Sequence, residues 1–426
     1  MSNSARALAL SVIHRVIEEG AYSSLTLSAA LRGSSLPPRD RDFATQLTYG
    51  TLRRIVSLDW ALERITDRPL ERAPPHARSV LRLGAYQLLF LHVPDHAAVG
   101  ETVALARQHE RGFANAVLRR LAREEVRWPD GDSPGAISIR TGLAEWAVIE
   151  LTQVVGPRGE DVSRALATAP PLALRTNTCR IGADQLEGAL RDAGREVRRG
   201  ELHPETLLVD AAAPTHLPGW NEGWFTVQDE ASAFVVRALD PQPGDAVLDA
   251  CAAPGGKAGH IACLAGAEGT TVAGDVAPRR IGLVRQVGER LGVRLHVLVH
   301  DARRPAVRGP FDRILVDAPC SGIGAARRRP ELLWRPRRDN LSILARLQVS
   351  IVAGVSDLLK AGGRLVYSVC TFPRAETDAV CDAVLRTRPD LEPADIEGPD
   401  GPASRVRLWP DRHSSDAMFV AAFRRA

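Results

Sequence analysis

Residues 246–257 read AVLDACAAPGGK, and the reading of the C-terminal half starts there. Ala246–Ala250 is a short apolar run that ends in a turn, which predicts a buried strand. Gly255 and Gly256 allow a tight turn and the close approach of a ligand. A helix is expected next, and its N-terminus offers free N–H groups to an anion. Lys257 is followed by Ala258, where a P-loop needs Ser or Thr for magnesium. The stretch does not spell Gly-x-Gly-x-x-Gly either, so a nicotinamide-dependent oxidoreductase is disfavoured.

Further apolar runs lie at 271–274, 295–299, 314–316, 364–368 and 418–422, and helical stretches separate the first five runs. Strands alternating with helices predict a doubly wound, mainly parallel α/β sheet over 226–426. Such sheets bind ligands at the carboxyl ends of their strands. Asp249, Asp275, Asp301 and Asp317 each close one of the first four predicted strands. One such aspartate is ordinary turn chemistry. Four together suit a nucleoside held without phosphate, as in S-adenosylmethionine.

Two cysteines sit at neighbouring strand ends, in Asp317-Ala-Pro-Cys320-Ser-Gly and Tyr367-Ser-Val-Cys370-Thr. A lone cysteine there is usually a small buried hydrophobe. Consecutive strands are usually neighbours, so both thiols are expected on one edge beside the ligand loop. The remaining cysteines are Cys179, Cys251, Cys263 and Cys381, and no Cys-x-x-Cys occurs. The expectation is free thiols, no disulfide framework and no metal.

The N-terminal 127 residues read as helix. Leu8, Val12 and Val16 recur every fourth residue, and Pro37-Pro38, Pro94 and Gly112 punctuate further helical stretches. An all-α bundle over 1–127 follows, then a turn-rich linker, WPDGDSPG at 128–135, and a small α+β region over 136–225. The composition, 45% hydrophobic and 25% charged, is that of a globular chain. No apolar run approaches the ~20 residues of a membrane span, and no signal-peptide pattern opens the chain. A cytoplasmic monomer is expected, with no membrane partner. Between Arg303 and Arg338, ten arginines stand against three acids, so a polyanionic partner is expected beside the thiols. Lysine is used only at 257 and 360. Lys360, before Ala361-Gly362-Gly363, fits a helix C-terminus. Lys257 has no such structural reason and marks a place for a compact ammonium.

With these motifs in hand, the sequence resembles the Nop/Sun family of RNA cytosine-C5 methyltransferases. VQDEASA (227–233), DACAAPGGK (249–257), DAPCSG (317–322), RRRPELLWR (327–335) and VYSVCT (366–371) carry the likeness. RDRDFATQLTYGTLRR (39–54), VLRLGAYQLLFL (80–91), HAAVGETVALA (96–106) and FANAVLRRL (113–121) are similar to the NusB-like RNA-binding domain fused to its bacterial Sun-type members. The resemblance implies a Rossmann-like methyltransferase sheet, S-adenosylmethionine as cofactor and a cytosine of small-subunit ribosomal RNA as substrate. It implies Cys370 as nucleophile and Cys320 as the group assisting proton removal and product release. Asp317 and Lys257 act on or near the base. Cys251, Ala252, Ala253, Pro254, Gly255, Gly256 and Lys257, with Asp275, Asp301 and Asp317, hold the cofactor. The chemistry explains the thiols: C5 of cytosine is a poor nucleophile until sulfur adds to C6 and makes C5 enamine-like. Ala258, His300, Ile323 and Val369 depart from the family's usual Thr, Asn, Thr and Thr, and none removes a reacting group. Two rivals stand beside this reading: the same enzyme acting on transfer RNA or another rRNA cytosine, and a non-catalytic RNA-binding assembly factor.

Overall fold

A computed structural model describes residues 4–66, 69–91, 93–210 and 213–426. The chain divides into two compact units. One comprises Met1–Ala169 with Ala326–Pro336, and the other Pro170–Ala325 with Arg337–Ala426.

The first unit is helical. Ser4 caps the helix Ala5–Glu18 by accepting from the Ala7 amide at 3.2 Å, and Val12, Ile13 and Val16 from its inner face are buried. Prolines open the helices Pro38–Arg53 and Pro75–Leu89, where a missing N–H costs nothing. Their apolar faces share one core with Ile55–Ile65 and Arg111–Arg123, including Leu47, Leu58, Leu62, Leu81 and Leu118.

Helix does not stop at 127. Residues 128–133 are irregular, but Ser133 and Pro134, read as linker, cap and open a helix over Pro134–Thr141. Glu145–Val155 and Gly159–Leu166 follow, and the strands of the expected α+β region begin at Leu172. The cap chemistry was present in the sequence, but the surrounding Pro, Gly and Asp concealed it.

The basic block also changes meaning. Residues 326–336 belong to the helical unit, where Arg335 donates to the carbonyls of Val16 at 2.7 Å, Ala21 at 2.9 Å and Gly20 at 3.2 Å. Glu331 accepts from Ser23 Oγ at 2.6 Å, and Trp334 Nε1 donates to the Leu52 carbonyl at 2.9 Å. In the second unit Arg303 pairs with Asp301, and Arg313 with Asp245. Arg313 and Arg335, at least, are therefore engaged within the protein and do not add to a free basic face.

The second unit begins with β1 (Leu172–Thr176), β2 (Val197–Arg199), β3 (Thr206–Val209) and β4 (Phe225–Val227). They form an antiparallel sheet ordered β2-β3-β1-β4. The larger sheet follows: β5 (Ala246–Asp249), β6 (Thr270–Asp275), β7 (His296–Val299), β8 (Phe311–Asp317) and β9 (Leu359–Val369). After β10 (Leu391–Pro393), a small pair β11 (Ile396–Gly398) and β12 (Gly401–Ala403), and β13 (Arg405–Leu408), the chain ends on β14 (Met418–Arg425). The order is β10-β14-β9-β8-β5-β6-β7, with β13 beside β14. Pairing is parallel from β9 to β7 and antiparallel around β14. Ile314, Val316, Leu365 and Val369 meet Ile351, Val352 and Val355 of the helix Leu341–Ser356 on one face. Val247, Leu315 and Val366 meet Phe234, Val235 and Ile261 on the other. Both faces are covered, so the strands are continuous apolar runs. Lys360 lies in β9 and bonds Asp312 at 2.6 Å instead of ending a helix. Among the described residues no helix is long and apolar enough to cross a membrane.

Replacing Arg335 with Met leaves the carbonyls of Val16, Gly20 and Ala21 without their donor. The helical unit should lose about 1–2 kcal/mol, the site being partly exposed. Urea titration followed by far-ultraviolet dichroism measures it, and an unshifted midpoint would exclude a stabilising role for this arginine.

Candidate active site

Strand register brings the candidate site residues together. Asp317, the last residue of β8, is the parallel Cα partner of Ser368 in β9. Ser368 Oγ donates to Asp317 Oδ1 at 2.8 Å, and the Ala318 amide bonds the Ser368 carbonyl at 2.9 Å. Beyond this pair both strands turn over the carboxyl edge, carrying Cys320 and Cys370. Their Sγ atoms lie 3.5 Å apart. Gly324 donates to the Cys370 carbonyl at 3.0 Å, and a Cβ there would lie 2.0 Å from the Ala417 carbonyl oxygen. Only glycine lets the Cys320 loop approach so closely.

Lys257 reaches the same place from the loop after β5. Its Nζ donates to Asp317 Oδ2 at 2.8 Å, and its side chain is 12% exposed. Burial alone would lower its pKa, but the charge and hydrogen bond of Asp317, with Cys370 and Asp249 nearby, raise it above the ordinary value. The ammonium is fixed on Asp317, close enough for Cys370 to contribute to its charge balance. Cys320 is held as a thiol: its hydrogen bond with Cys370 and its burial push it far up.

Beneath the two cysteine loops lies a carboxylate that sequence reasoning missed. Glu376 is fully buried. It accepts from the Ser321 amide at 2.9 Å, from Ser321 Oγ, and from Gln348 Nε2 at 3.0 Å. Gln348 also donates to the Pro319 carbonyl at 2.9 Å, and Ser321 Oγ lies 2.7 Å from Thr371 Oγ1. Ser321 and Thr371 each follow a cysteine, so Glu376 fastens both loops. No sequence spacing announced it.

The loop 251–257 runs along the edge between β5 and β6. Gly255 has φ 113°, and a Cβ there would stand 2.9 Å from Val284 Cα. Gly256 starts the helix Gly256–Ala265. Ala252 and Ala253 are buried against Ile281 and Val284, and Ala253 and Pro254 share a cis peptide bond. Burial, then the charges of Asp249 and Asp317, push the Cys251 thiol well up. Asp275 is buried and accepts from the Ala277 amide at 2.9 Å and the Ala253 amide at 3.3 Å. Asp301 lies two residues past β7 and is ion-paired with Arg303 at 2.6 Å, which holds its carboxyl at about 2. The four aspartates therefore share the carboxyl edge but not one environment.

Two cysteines expected as thiols are not. Cys179 and Cys263 form a disulfide, their Cα atoms 5.8 Å apart. Composition speaks to the compartment in which thiols persist; it does not show which cysteines the fold juxtaposes. Among the described residues the free cysteines are Cys251, Cys320, Cys370 and Cys381.

The sheet order and the glycine loop at its carboxyl edge define the class: a Rossmann-like methyltransferase in a chain that also has a NusB-type helical unit. Residues 236–424 match the 16S rRNA methyltransferase RsmB/F family, residues 143–216 the RsmF/B-like ferredoxin-like domain, and residues 3–123 the NusB family. A probable ribosomal RNA small subunit methyltransferase B of Bacillus subtilis (strain 168) is 34% identical, with 99% of each chain covered. The ribosomal RNA small subunit methyltransferase B of Salmonella arizonae is 33% identical, with 98% of each covered. The crystal structure of PH0851 shares the fold, with a TM-score of 0.87 over 100% of both chains at 24% identity. A methyltransferase homolog protein from Pyrococcus horikoshii gives 0.59 at 28% identity, over 70% of this chain and 100% of its own. The chain belongs to the ribosomal RNA small subunit methyltransferase B family.

Asp249, closing β5, is 1% exposed, and neither carboxylate oxygen has a hydrogen-bond partner of normal geometry. Burial, then the charge of Asp317, raises its pKa to about 7. An unfolded aspartate ionises near ~3.9. The folded chain thus keeps a proton that the unfolded chain releases between the two values. This group's contribution is full below about pH 4 and is lost as pH rises through about 7. Asp249→Asn stays neutral, so its stability relative to the parent should climb between those pH values. Urea titrations across that range test this, and a pH-independent difference would show that Asp249 is not held protonated.

Proposed function

We propose that this protein is a 16S ribosomal RNA (cytosine-C5) methyltransferase that uses S-adenosylmethionine and a transient bond between Cys370 Sγ and C6 of the target base. The observation that carries the proposal is the 3.5 Å approach of the Cys320 and Cys370 sulfurs at the sheet edge occupied by the glycine loop. The RNA substrate is supported by the relatives named as small-subunit rRNA methyltransferases and by the NusB-type segment.

The residues present fit the cofactor. The glycine turn admits no side chain, the helix Gly256–Ala265 presents its N-terminus, and Asp275 lies buried beside the loop. The 251–257 loop, Asp275 and Asp317 would hold it, with Asp301 at the rim. Bound there, S-adenosylmethionine supplies an electrophilic methyl group. Cys370 attacks C6 as a thiolate, stabilised by the Lys257 ammonium and by the thiol proton of Cys320. Its addition moves electron density to C5, which takes the methyl group. Asp317, fixed by Lys257 and Ser368, serves the base's N3 edge. The C5 proton then leaves with the help of Cys320, the C5–C6 double bond reforms and Cys370 is expelled. Two thiols so close have different tasks because one stays protonated.

Cys370→Ala should reduce methylation by a factor of about 10³ or more while S-adenosylmethionine still binds. Isothermal titration and methyl transfer from labelled cofactor measure the two; turnover near that of the parent enzyme would refute the nucleophile. Cys320→Ala should accumulate a protein–RNA adduct stable to denaturing electrophoresis. An adduct from Cys370→Ala instead would exchange the two roles.

A further inference from the structure

Away from the thiols, a second polar cluster lies where the small antiparallel sheet meets the helix that follows the glycine loop. His203 and Glu205 flank the turn into β3, and His260 sits in the middle of Gly256–Ala265. One ligand atom from each lies within 4.8 Å of the others. His260 is fully buried, and neither ring nitrogen has a hydrogen-bond partner. Glu205 Oε2 is likewise buried and unpartnered. A native interior rarely leaves such groups unsatisfied, so the facing, unpartnered His260 Nε2 and Glu205 Oε2 call for an occupant.

We propose that His203, Glu205 and His260 bind one divalent transition-metal ion, zinc by its ligand chemistry. The His260 Nε2 to Glu205 Oε2 separation is 3.5 Å. That is close to the edge, about 3.4 Å, of a tetrahedron with metal–ligand bonds of about 2.1 Å. Two imidazoles and a carboxylate are a borderline-soft donor set that suits zinc better than magnesium or calcium. Arg175, fully buried nearby, opposes a cation, and Glu205 supplies the compensating charge. The carboxylate is therefore indispensable to the site. The ion joins the β2–β3 turn to the helix that begins at Gly256. The Cys179–Cys263 disulfide reaches that helix from the turn after β1. The role is structural, and it is independent of the cysteine chemistry proposed above.

The test uses the untagged full-length chain, incubated with zinc sulfate, desalted and analysed by inductively coupled plasma mass spectrometry. About one zinc per chain is expected, with a rise in Tm on loading. Glu205→Gln and His260→Ala should each lose the metal and the Tm shift, whereas the Cys320→Ala/Cys370→Ala double variant keeps both. Cobalt loading should give ligand-field bands without thiolate charge transfer. If His260→Ala does not fold, the partly exposed, near-isosteric Glu205→Gln carries the comparison. Zinc at background level, zinc that survives Glu205→Gln, or zinc lost in the cysteine double variant would overturn the site.

Discussion

Asp317 and Ser368 face each other across a parallel strand pair, joined through Oδ1 and Oγ at 2.8 Å. Asp317, Cys320 and Cys370 take their positions from that pairing. Slipping β8 against β9 by one residue would turn every side chain of the strand to the other face. The slip is opposed because Ile314, Val316, Leu365 and Val369 bury one face while Leu315 and Val366 bury the other. Hydrophobic burial along the strands thus fixes, at their far end, which two sulfurs meet.

Lys257 and Asp317 form the ion pair of the site, while Asp249 and Cys320 beside them are pushed toward their neutral forms by burial and by their neighbours. Glu376 holds the loops through neutral, polar donors, Ser321, Thr371 and Gln348. Burial raises its pKa while those donors pull it down. The arrangement positions both thiols without adding a second ion pair between their loops.

Much of this was legible in the sequence, for identifiable reasons. The runs at 246–250, 314–316 and 364–368 are continuous and apolar because both sheet faces are covered, and each emerged as a strand. Neighbouring strand ends placed Cys320 and Cys370 on one edge, and the 3.5 Å separation follows from it. What escaped was long-range or locally disguised. Cys179 and Cys263 are 84 residues apart, and His260 is far from His203 and Glu205 in the chain. Glu376 acts from a short turn with no motif of its own. Arg335 reads as part of a charge run until its guanidinium is seen on the carbonyls ending the first helix.

The central claim is a sulfur–carbon bond at one cysteine. The most direct measurement uses small-subunit rRNA transcribed with 5-fluorocytidine, incubated with the full-length protein and S-adenosylmethionine. Fluorine cannot leave as a cation, so the methylated adduct should stall, and peptide mass mapping should place the nucleotide on Cys370. A nucleotide on Cys320, or methylated RNA released with no adduct, would contradict the account.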